Sequence, residues 1–362
     1  MIAFQATLMA ILLAVPTVIS DDTVPIPAVK AQLNNWFQNN VKPYAARKGT
    51  LDAQLAAAET GAKVIRVRKD GSGNFKTVTD AIKSIPSGNT KRVIVFIGFG
   101  VYNEKVTIDR TRPFVTLYGA PGAMPTLSYG GTAKQYGTVN SASLIVESDY
   151  FTAANIIIQN TAPPPDGKRE GAQAVALRIS GDKAAFYGCK IKGFQDTICD
   201  DRGHHFFKDC YIEGTVDFIF GSGKSLYLNT ELRVLPAPFG FTVITAQARE
   251  GASEDNGYSF VHCTITGTIK GTYLGRAWKT RPKVVFSYTN MGSIINPVGW
   301  SDYFHPERDD MVFFGEYKNT GAGAATAGRV KYTKLLNDAQ AKPYIGLGYI
   351  LGSKWLLPPP KV

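Results

Sequence analysis

The segment FYGCKIKG (186–193) returns along the chain as FKDCYIEG (207–214) and as FVHCTITG (260–267). Each copy keeps an aromatic residue, a cysteine, an isoleucine and a glycine at the same positions, and weaker copies begin at Tyr227 and Phe286. Apolar residues two positions apart indicate strands, and the return of one residue pattern at intervals indicates coils that stack on one another. We therefore predict an all-β chain, folded as a right-handed parallel β-helix. A two-sheet sandwich is the alternative, but it gives no reason for the same residue types to recur in one column.

Two aspartates follow the repeat at a constant distance. Asp196 lies seven residues after Cys189, and Asp217 lies seven residues after Cys210. In stacked coils both carboxyl groups occupy the same position on neighbouring turns, whose backbones lie about 4.8 Å apart. Two such groups do not readily ionise together, so the pKa of one is raised while that of the other stays low. This arrangement suits a general acid beside a nucleophile or base.

The four cysteines follow the same spacing argument. Cys189 and Cys210 fall in one column on neighbouring coils, and we predict either a disulfide between them or a pair of buried thiols. Cys199 and Cys263 are predicted to be free and buried. The spacing of the four residues matches no zinc motif, so no metal site is predicted.

Composition and the chain ends restrict the class of protein. The 362 residues include 40 Lys and Arg against 29 Asp and Glu, a net charge of +11, and 44% are hydrophobic. These values exclude disordered, collagen-like and small disulfide-rich proteins, and the charge favours a polyanionic partner. Residues 1–20 are uncharged and largely apolar, as is typical of a secretory signal peptide. We therefore expect a secreted protein that does not span a membrane.

The rest of the chain divides into two regions that differ in the spacing of their apolar residues. Residues 21–62 are predicted to be a peripheral helical segment. Helix-like spacing occurs at Leu33, Trp36, Phe37 and Val41, and LDAQLAAAE (51–59) is predicted to form a second short helix. Residues 63–362 are predicted to be the β-helix domain, in which TKLLNDAQAKPYI (333–345) forms a helix before a Pro-rich tail. Three apolar runs predict strands: RVIVFI (92–97), FVTLYG (114–119) and SLIVES (143–148). Short helices are therefore expected at both ends of the β-helix.

Six separated motifs resemble those of the plant pectin methylesterases, or pectinesterases, across residues 64–357. The motifs are GVYNEKV (100–106), GAQAVALR (171–178), GFQDTI (193–198), YIEGTVDFIFG (211–221), LGRAW (274–278) and GEYKNTGAGA (315–324). The resemblance implies an aspartyl esterase that hydrolyses the methyl esters of galacturonate in pectin, releases methanol and needs no cofactor. Within the family the chain is most similar in character to secreted pollen-type enzymes, some of which are allergens.

The resemblance also implies roles for individual residues. Asp217 matches the nucleophile, and Asp196 matches the acid that protonates methanol and then acts as base for water. Gln173 and Gln195 match the amide donors that receive the developing oxyanion. Arg276 matches the residue that holds Asp217 ionised and oriented.

Substrate-binding residues follow from the same motifs. Trp278 matches a residue that stacks on a sugar ring, and Thr138 matches a position that contacts substrate. Three residues depart from the family pattern. Val139 stands where an aromatic residue is frequent, Cys199 where a tyrosine is common, and Ala277 where a proline is usual. These departures bear on subsite preference more than on the chemistry, because every implied catalytic residue is present.

The expected partner is methylated homogalacturonan in the cell wall, with a proteinaceous pectinesterase inhibitor as a further candidate. Nucleic acid and membranes are not expected partners, and a monomer is expected because the sequence has no coiled-coil pattern. Two other functions remain open. One is another pectin-degrading β-helix enzyme, a lyase or polygalacturonase. The other is a catalytically weak wall protein that binds pectin through its charge. A serine hydrolase is disfavoured because no Gly-x-Ser-x-Gly motif occurs.

Overall fold

A computed structural model of the chain describes residues 21–47, 49–238 and 240–362. The signal peptide predicted for residues 1–20 lies outside these ranges. No helix within the described ranges is long and apolar enough to cross a membrane.

Short strands form most of the regular structure. In chain order they are β1 (Lys63–Val67), β2 (Val93–Ile97), β3 (Val101–Asn103), β4 (Val106–Ile108), β5 (Val115–Gly119), β6 (Thr126–Tyr129), β7 (Leu144–Val146), β8 (Thr152–Ala154), β9 (Ile157–Asn160), β10 (Leu177–Ile179), β11 (Ala184–Tyr187), β12 (Lys190–Lys192), β13 (Ile198–Asp200) and β14 (His204–Lys208). They continue with β15 (Tyr211–Gly214), β16 (Val216–Gly221), β17 (Lys224–Leu228), β18 (Glu231–Val234), β19 (Val243–Gln247), β20 (Gly257–Val261), β21 (Thr264–Gly267), β22 (Tyr273–Arg276), β23 (Lys283–Ser287), β24 (Asn290–Met291), β25 (Trp300–Ser301), β26 (Phe313–Tyr317) and β27 (Thr333–Leu335). The three apolar runs predicted as strands correspond to β2, β5 and β7.

The helices are short and lie mostly towards the two ends of the described chain. The α-helices are α1 (Leu33–Asn40), α2 (Ala53–Ala58), α3 (Val78–Lys83), α4 (Ala133–Tyr136), α5 (Asp338–Ala341) and α6 (Gly352–Trp355). The 3-10 turns are Asp21–Thr23, Lys30–Gln32, Tyr44–Ala46, Val139–Ser141, Pro306–Arg308, Ala322–Ala324, Lys342–Tyr344 and Leu347–Ile350.

Three sheets run the length of the molecule, and neighbouring strands in each sheet are parallel. The eleven-strand sheet has the order β1-β2-β5-β8-β11-β14-β17-β20-β23-β26-β27. The cleft sheet has the order β25-β22-β19-β16-β13-β10-β7-β4, and the third sheet has the order β24-β21-β18-β15-β12-β9-β6-β3. In the central coils the chain adds one strand to each sheet in turn before it returns to the first. This confirms the predicted parallel β-helix, whose crossovers follow the right-handed rule.

The recurring aromatic position forms a ladder inside the coil. Phe186, Phe207, Tyr227, Phe260 and Phe286 are register partners on successive strands of the eleven-strand sheet. Their rings stack with centroids 4.7, 4.5, 4.6 and 4.5 Å apart. The weaker copies of the repeat at Tyr227 and Phe286 are therefore full coils. A parallel aliphatic column runs along the third sheet through Ile191, Ile212, Leu232, Ile265 and Met291.

The residue before each cysteine position turns the chain from the eleven-strand sheet into the third sheet. Gly188, Asp209, Asn229, His262 and Tyr288 all adopt the left-handed conformation there, with φ of 58°, 56°, 51°, 53° and 52°. Glycine and short polar residues tolerate this conformation, whereas histidine and tyrosine adopt it at a cost. The stacking of neighbouring coils therefore imposes the corner geometry on whichever residue occupies the position.

The four cysteines are all free and buried. For Cys189 and Cys210 the structure has the second of the two predicted alternatives, a pair of buried thiols, and no disulfide joins them. The thiol of Cys210 donates instead to the carbonyl of Phe186, at 3.6 Å. Cys199 and Cys263 are free and buried as predicted.

Both ends of the described part of the chain pack on the outer face of the eleven-strand sheet. Leu33 and Phe37 of α1 are buried in an apolar cluster that also contains Phe206 on β14 and Trp355 on α6. The side chain of Asp22 accepts hydrogen bonds from the backbone and hydroxyl groups of Ser353. The two ends of the described chain are therefore joined to each other and to the sheet.

One expectation for the C-terminal region is wrong. The predicted helix over residues 333–345 begins instead as β27, which pairs with β26 and becomes the last strand of the eleven-strand sheet. Pairing satisfies backbone groups that the edge of the sheet would otherwise leave open. The helix is confined to α5 because Asn337 caps its start with a capping box, and a 3-10 turn containing Pro343 follows its end.

Candidate active site

The two predicted aspartates lie at equivalent places on the cleft sheet. Ile198 on β13 pairs with Ile219 on β16, so the register places Asp196 opposite Asp217 on the neighbouring coil. Both aspartates adopt the left-handed backbone conformation, with φ of 65° and 51°. The register of β16 against β19 shifts between Val216 and Ile219, which is a bulge at Asp217. Such bulges re-aim a side chain, and left-handed non-glycine residues concentrate at functional sites.

Arg276 holds the carboxylate of Asp217 from a strand two places along the cleft sheet. Its Nε donates to Asp217 Oδ1 at 2.6 Å, and its Nη2 donates to Asp217 Oδ2. The two side chains are only 6% and 7% exposed, so the ion pair is shielded from water. The remaining nitrogen, Nη1, is buried and makes no hydrogen bond to any described residue. The guanidinium therefore orients the carboxylate and keeps one donor free for a ligand.

Two aromatic rings enclose the same guanidinium. The Cζ atom of Arg276 lies 4.5 Å from the ring centroid of Trp278 and 4.0 Å from that of Tyr303. Rings at this distance attract the cation and restrict its movement. Trp278 is predicted from its motif, whereas Tyr303 lies in a loop that the sequence does not single out.

Burial and charge separate the two carboxyl groups. Burial, followed by the negative charge of Asp217, raises the pKa of Asp196 well above its usual range. Burial also raises the pKa of Asp217, but the hydrogen bonds and charge of Arg276 oppose that rise. Burial alone would lower the pKa of Arg276, yet its bonds to Asp217 raise it. Asp217 is therefore the carboxyl group that ionises first, while Asp196 keeps its proton.

The two glutamines lie in the loops that lead into neighbouring cleft-sheet strands, Gln173 before β10 and Gln195 before β13. The backbone carbonyl of Gln173 accepts from Ala133 N at 2.7 Å, and that of Gln195 accepts from Ala174 N at 3.3 Å. Gln195 lines the same cavity as Asp217. The side-chain oxygen of Gln173 is buried and lacks a partner among the described residues. The backbone thus fixes both residues, and their side-chain amides can donate to a ligand.

A cavity of about 570 Å³ opens beside Asp217 and Arg276. Aromatic side chains that the sequence analysis did not select supply much of its wall: Phe241, Tyr273, Trp300, Tyr303, Phe304 and Tyr332. Tyr303 and Phe304 are left-handed, with φ of 58° and 62°, and Phe304 is 91% exposed. Aromatic rings beside hydrogen-bonding groups suit a ligand with flat apolar faces and polar edges.

Thr138 and the departure at Val139 lie on the far side of the two glutamines. Thr138 precedes the 3-10 turn Val139–Ser141, and its carbonyl accepts from Ser141 Oγ at 2.6 Å. Val139 and Cys199 contact a single apolar cluster on the outer face of the cleft sheet. The other members of that cluster are Ala142, Ile145, Val175 and Phe220. Val139 and Cys199, two of the three departures from the family pattern, therefore contact the same apolar cluster.

The third departure supplies a hydrogen bond. Ala277 is buried, and its N–H donates to the carbonyl of Ser301 at 2.9 Å. Proline has no N–H and could not make this bond. Ala277 thus ties the segment after Arg276 to β25, which leads into the loop that carries Tyr303.

In the described part of the chain, no group of three or more His, Cys, Asp or Glu side chains could hold a metal ion.

Several known proteins are similar to this chain. A profile of the Pectinesterase family matches residues 64–353. Pectinesterase 2 of Olea europaea is 58% identical over 359 residues, covering 99% of this chain and 98% of that protein. Probable pectinesterase 50 of Arabidopsis thaliana is 55% identical over 360 residues, covering 99% of each.

Solved structures are similar in fold. The pectin methylesterase from carrot superposes with a TM-score of 0.76 at 32% identity, over 81% of this chain and 94% of that chain. A pectin methylesterase in complex with a hexasaccharide superposes with a TM-score of 0.68 at 28% identity, over 82% and 99% of the two chains. The family profile covers most of the chain, and the relatives extend over nearly all of it. The chain belongs to the pectinesterase family.

Proposed function

We propose that this chain hydrolyses the methyl esters of galacturonate units in pectin by covalent catalysis on Asp217. Family membership supports the overall reaction, which converts a methyl ester and water into methanol and a free carboxyl group. The observation that carries the mechanism is the pair of stacked aspartates, of which only Asp217 is bonded to Arg276. One carboxylate is thereby prepared as a nucleophile and the other as an acid.

In the first half-reaction, a carboxylate oxygen of Asp217 attacks the ester carbonyl carbon. The bond between that carbon and the methoxy oxygen breaks, and the proton of Asp196 passes to the departing oxygen, so methanol leaves. The substrate is then joined to Asp217 as an acyl anhydride. Arg276 keeps Asp217 ionised before the attack, because it stabilises the charged form of the carboxylate.

In the second half-reaction, Asp196 has lost its proton and acts as a base. It accepts a proton from water, the water oxygen attacks the anhydride, and the free acid of the sugar is released with Asp217 restored as a carboxylate. Acylation removes the negative charge of Asp217, which is one of the causes that raise the pKa of Asp196. The same residue can therefore serve as acid and then as base.

Each tetrahedral intermediate carries a negative oxygen that needs donors. The side-chain amides of Gln173 and Gln195 are proposed to provide them, since the two residues lie on neighbouring coils and Gln195 lines the cavity beside Asp217. Removal of one donor in comparable sites costs roughly 3 kcal/mol of transition-state stabilisation. The Nη1 of Arg276, which bonds no described residue, is proposed to bond the substrate beside the reacting carboxylate.

The aromatic cavity is proposed to bind the polysaccharide. Trp278 and Phe304 present exposed rings, 46% and 91% accessible, to the faces of sugar units. Thr138 is proposed as a further substrate contact on the opposite side of the glutamines. A similar pectin methylesterase binds a hexasaccharide, which agrees with an extended cleft.

The surroundings of the enzyme are part of the proposal. We propose that it is secreted into the cell wall as a monomer, where a proteinaceous inhibitor is a further partner to test. Its net charge of +11 favours retention on partly de-esterified pectin, which is a polyanion. Binding to pectin should weaken steeply as salt is raised, because salt screens such attraction. Retention that is independent of salt would contradict this part of the proposal.

Product analysis tests the reaction. Purified protein and highly methylated pectin should give methanol and acid in equal amounts, without loss of chain length. Unsaturated or shortened oligosaccharides would identify a lyase or glycosidase instead. Binding without methanol release would identify a wall protein that lacks the activity.

A further inference from the structure

The segment that carries Arg276 continues past the end of β22, where the strand pairing stops. Arg276 is the last residue of β22, and its partner on β25 is Ser301. The N–H of Trp278 donates to the carbonyl of Arg276 at 2.9 Å. The carbonyls of Ala277 and Trp278 lie beyond the paired residues, and a buried carbonyl needs a donor. For these two peptide groups the donor has to come from another part of the chain.

Arg308 supplies the donor for both carbonyls. Its Nη1 donates to the carbonyls of Ala277 and Trp278, at 2.6 and 3.3 Å. The side chain of Arg308 is only 19% exposed. The backbone of Arg308 is itself fixed, because its N–H donates to the carbonyl of His305 at 2.9 Å. A restrained guanidinium therefore holds the two peptide groups that directly follow Arg276.

The loop between β25 and β26 is fastened to this segment at two points. Immediately before the loop, the carbonyl of Ser301 accepts the N–H of Ala277 at 2.9 Å. Within the loop, Arg308 donates to the carbonyl of the same alanine. Between these two points the ring centroid of Tyr303 lies 4.0 Å from Cζ of Arg276. Movement at either point would therefore displace the ring and the backbone that confine the guanidinium of Arg276.

Alanine at position 277 leaves the segment without the constraint that a proline would impose. The family pattern has proline there, and a proline ring fixes φ at about −65°. Alanine leaves φ free, so the conformation of this segment depends on its hydrogen bonds. Ala277 donates to Ser301 and accepts from Arg308, and these two contacts provide the restraint.

The charge of Arg308 is partly offset by a neighbouring carboxylate. Glu307 Oε1 lies 3.7 Å from Nε of Arg308, beyond hydrogen-bonding distance, so Glu307 leaves the Nη1 donors to the two carbonyls. Burial raises the pKa of Asp217, and the hydrogen bonds and charge of Arg276 oppose that rise. Any influence of Arg308 on Asp217 is therefore expected to pass through Arg276.

Several acidic residues lie on the same loop as Arg308. Burial, followed by the charges of Asp302, Asp310 and Glu307, raises the pKa of Asp309. These acids act on one another, whereas burial and its bonded guanidinium govern the pKa of the catalytic carboxylate. A variant that changes only the charge of this loop should therefore leave the catalytic carboxylate as it is.

We propose that Arg308 is a positioning residue, which fixes the backbone after Arg276 and thereby keeps that guanidinium bonded to Asp217. The proposal rests on the proposed function, because it concerns the nucleophile of that reaction. Arg308 acts through two peptide groups and Arg276, without contact with the substrate. Its loss therefore weakens the preparation of the nucleophile rather than the binding of the polysaccharide.

The test is the acidic limb of methanol release, measured as kcat/KM across pH. Arg308→Met removes both donors and leaves Arg276 freer to move away from Asp217, so the pKa of Asp217 should rise. Activity needs the ionised carboxylate and is lost as pH falls through that pKa. The limb should therefore move upward by about 0.5 to 1 pH unit, which is about 3- to 10-fold in kcat/KM below the limb. Arg308→Lys should restore most of the parental profile, because an ammonium can donate to both carbonyls.

Two control variants separate this role from effects on stability and on charge. Arg112 lies before β5, towards the N-terminal end of the eleven-strand sheet, and its side chain is 21% exposed. Its Nε donates to the carbonyl of Ile85 at 2.8 Å, so Arg112→Met should lower the melting temperature without moving the limb. Glu307→Gln changes the charge beside Arg308 and should also leave the limb in place. An unmoved limb in Arg308→Met, or a shift of equal size in either control, would overturn the proposal.

A titration without substrate separates this proposal from the catalytic one. In protein labelled with carbon-13 aspartate, the carboxyl signal of Asp217 is assigned by its loss in Asp217→Asn. That signal should titrate about 0.5 to 1 pH unit higher in Arg308→Met than in the parent. If the parent releases no methanol, the proposed function fails, but this titration still decides the role of Arg308. Equal titration of the signal in the two proteins refutes the positioning role whatever the esterase activity.

Discussion

Replacing Arg276 by lysine should move the pH dependence of the reaction. Arg276 makes two charge-assisted hydrogen bonds to Asp217 in a place where both side chains are nearly inaccessible to water. Lysine can replace the charge and one bond at most. A lost bond to a charged group costs about 1.5 to 3 kcal/mol, which corresponds to a rise of about 1 to 2 units in the pKa of Asp217.

The assay is methanol release as kcat/KM across pH. Asp217 acts as a carboxylate, so activity is lost as pH falls through its pKa, and Arg276→Lys should shift this acidic limb upward by about 1 to 2 pH units. Below the limb the variant should be roughly 10- to 100-fold slower than the parent. An acidic limb that does not move would refute the assignment of Arg276 and Asp217.

Arg329 provides a matched control for this experiment. It forms a similar buried pair with Glu316, through Nε–Oε1 and Nη2–Oε2 contacts of 2.7 and 3.1 Å, and both side chains are 3% exposed. Arg329→Lys should lower the melting temperature but leave the acidic limb in place. A shift of the limb in this variant would show that the effect of Arg276→Lys is not specific to the site.

Three further predictions follow from the same structure. Asp196→Asn should lower kcat by about 100- to 10,000-fold and remove the alkaline limb of the pH profile. In the parent, the raised pKa of Asp196 keeps this acid protonated until the pH rises through that pKa, where activity falls. An alkaline limb that remains in the variant would show that another residue is the acid. Gln195→Ala should lower kcat about 100- to 1,000-fold with little change in KM, and a pure KM effect would contradict an oxyanion role. His205→Leu should lower the melting temperature by about 10 °C. The ring lies 2.5 Å from one carboxylate oxygen of the fully buried Asp200, and its loss leaves that carboxylate with only the hydroxyl of Tyr227 as a side-chain partner. Burial lowers the pKa of His205, but Asp200 raises it above its usual value. The stabilisation by this pair should therefore be lost as pH rises through the raised pKa. A melting temperature of the parent that does not change across that pH range would contradict the pairing.

The β-helix could be predicted because its core repeats in the sequence. Stacked coils place the same position of each turn at one point of the cross-section, so Phe186, Phe207 and Phe260 recur as one ring ladder. The stacking of Asp196 on Asp217 follows from the same spacing. The spacing does not show whether a disulfide joins Cys189 and Cys210. It places the two residues at the same position on neighbouring coils, which is compatible with either a disulfide or two free thiols.

The rest of the site could not be predicted from local patterns. Tyr303 and Phe304 lie in a loop, and their left-handed backbone is imposed by the surrounding structure rather than by their residue types. The partnership of Arg276 with Asp217 spans 59 residues of sequence, so only the motif pointed to it. Residues 333–345 have a helical pattern, but their first three residues form β27 because they can pair with β26 at the end of the sheet.

The most direct test of the central claim is methanol release by Asp217→Asn from highly methylated pectin. Asparagine keeps the size of the side chain but lacks the carboxylate that attacks the ester. The account predicts that the folded variant, checked by its circular dichroism, loses methanol release while the parent releases methanol and leaves the pectin chains at full length. Release by the variant at the parental rate would contradict the claim that Asp217 is the nucleophile.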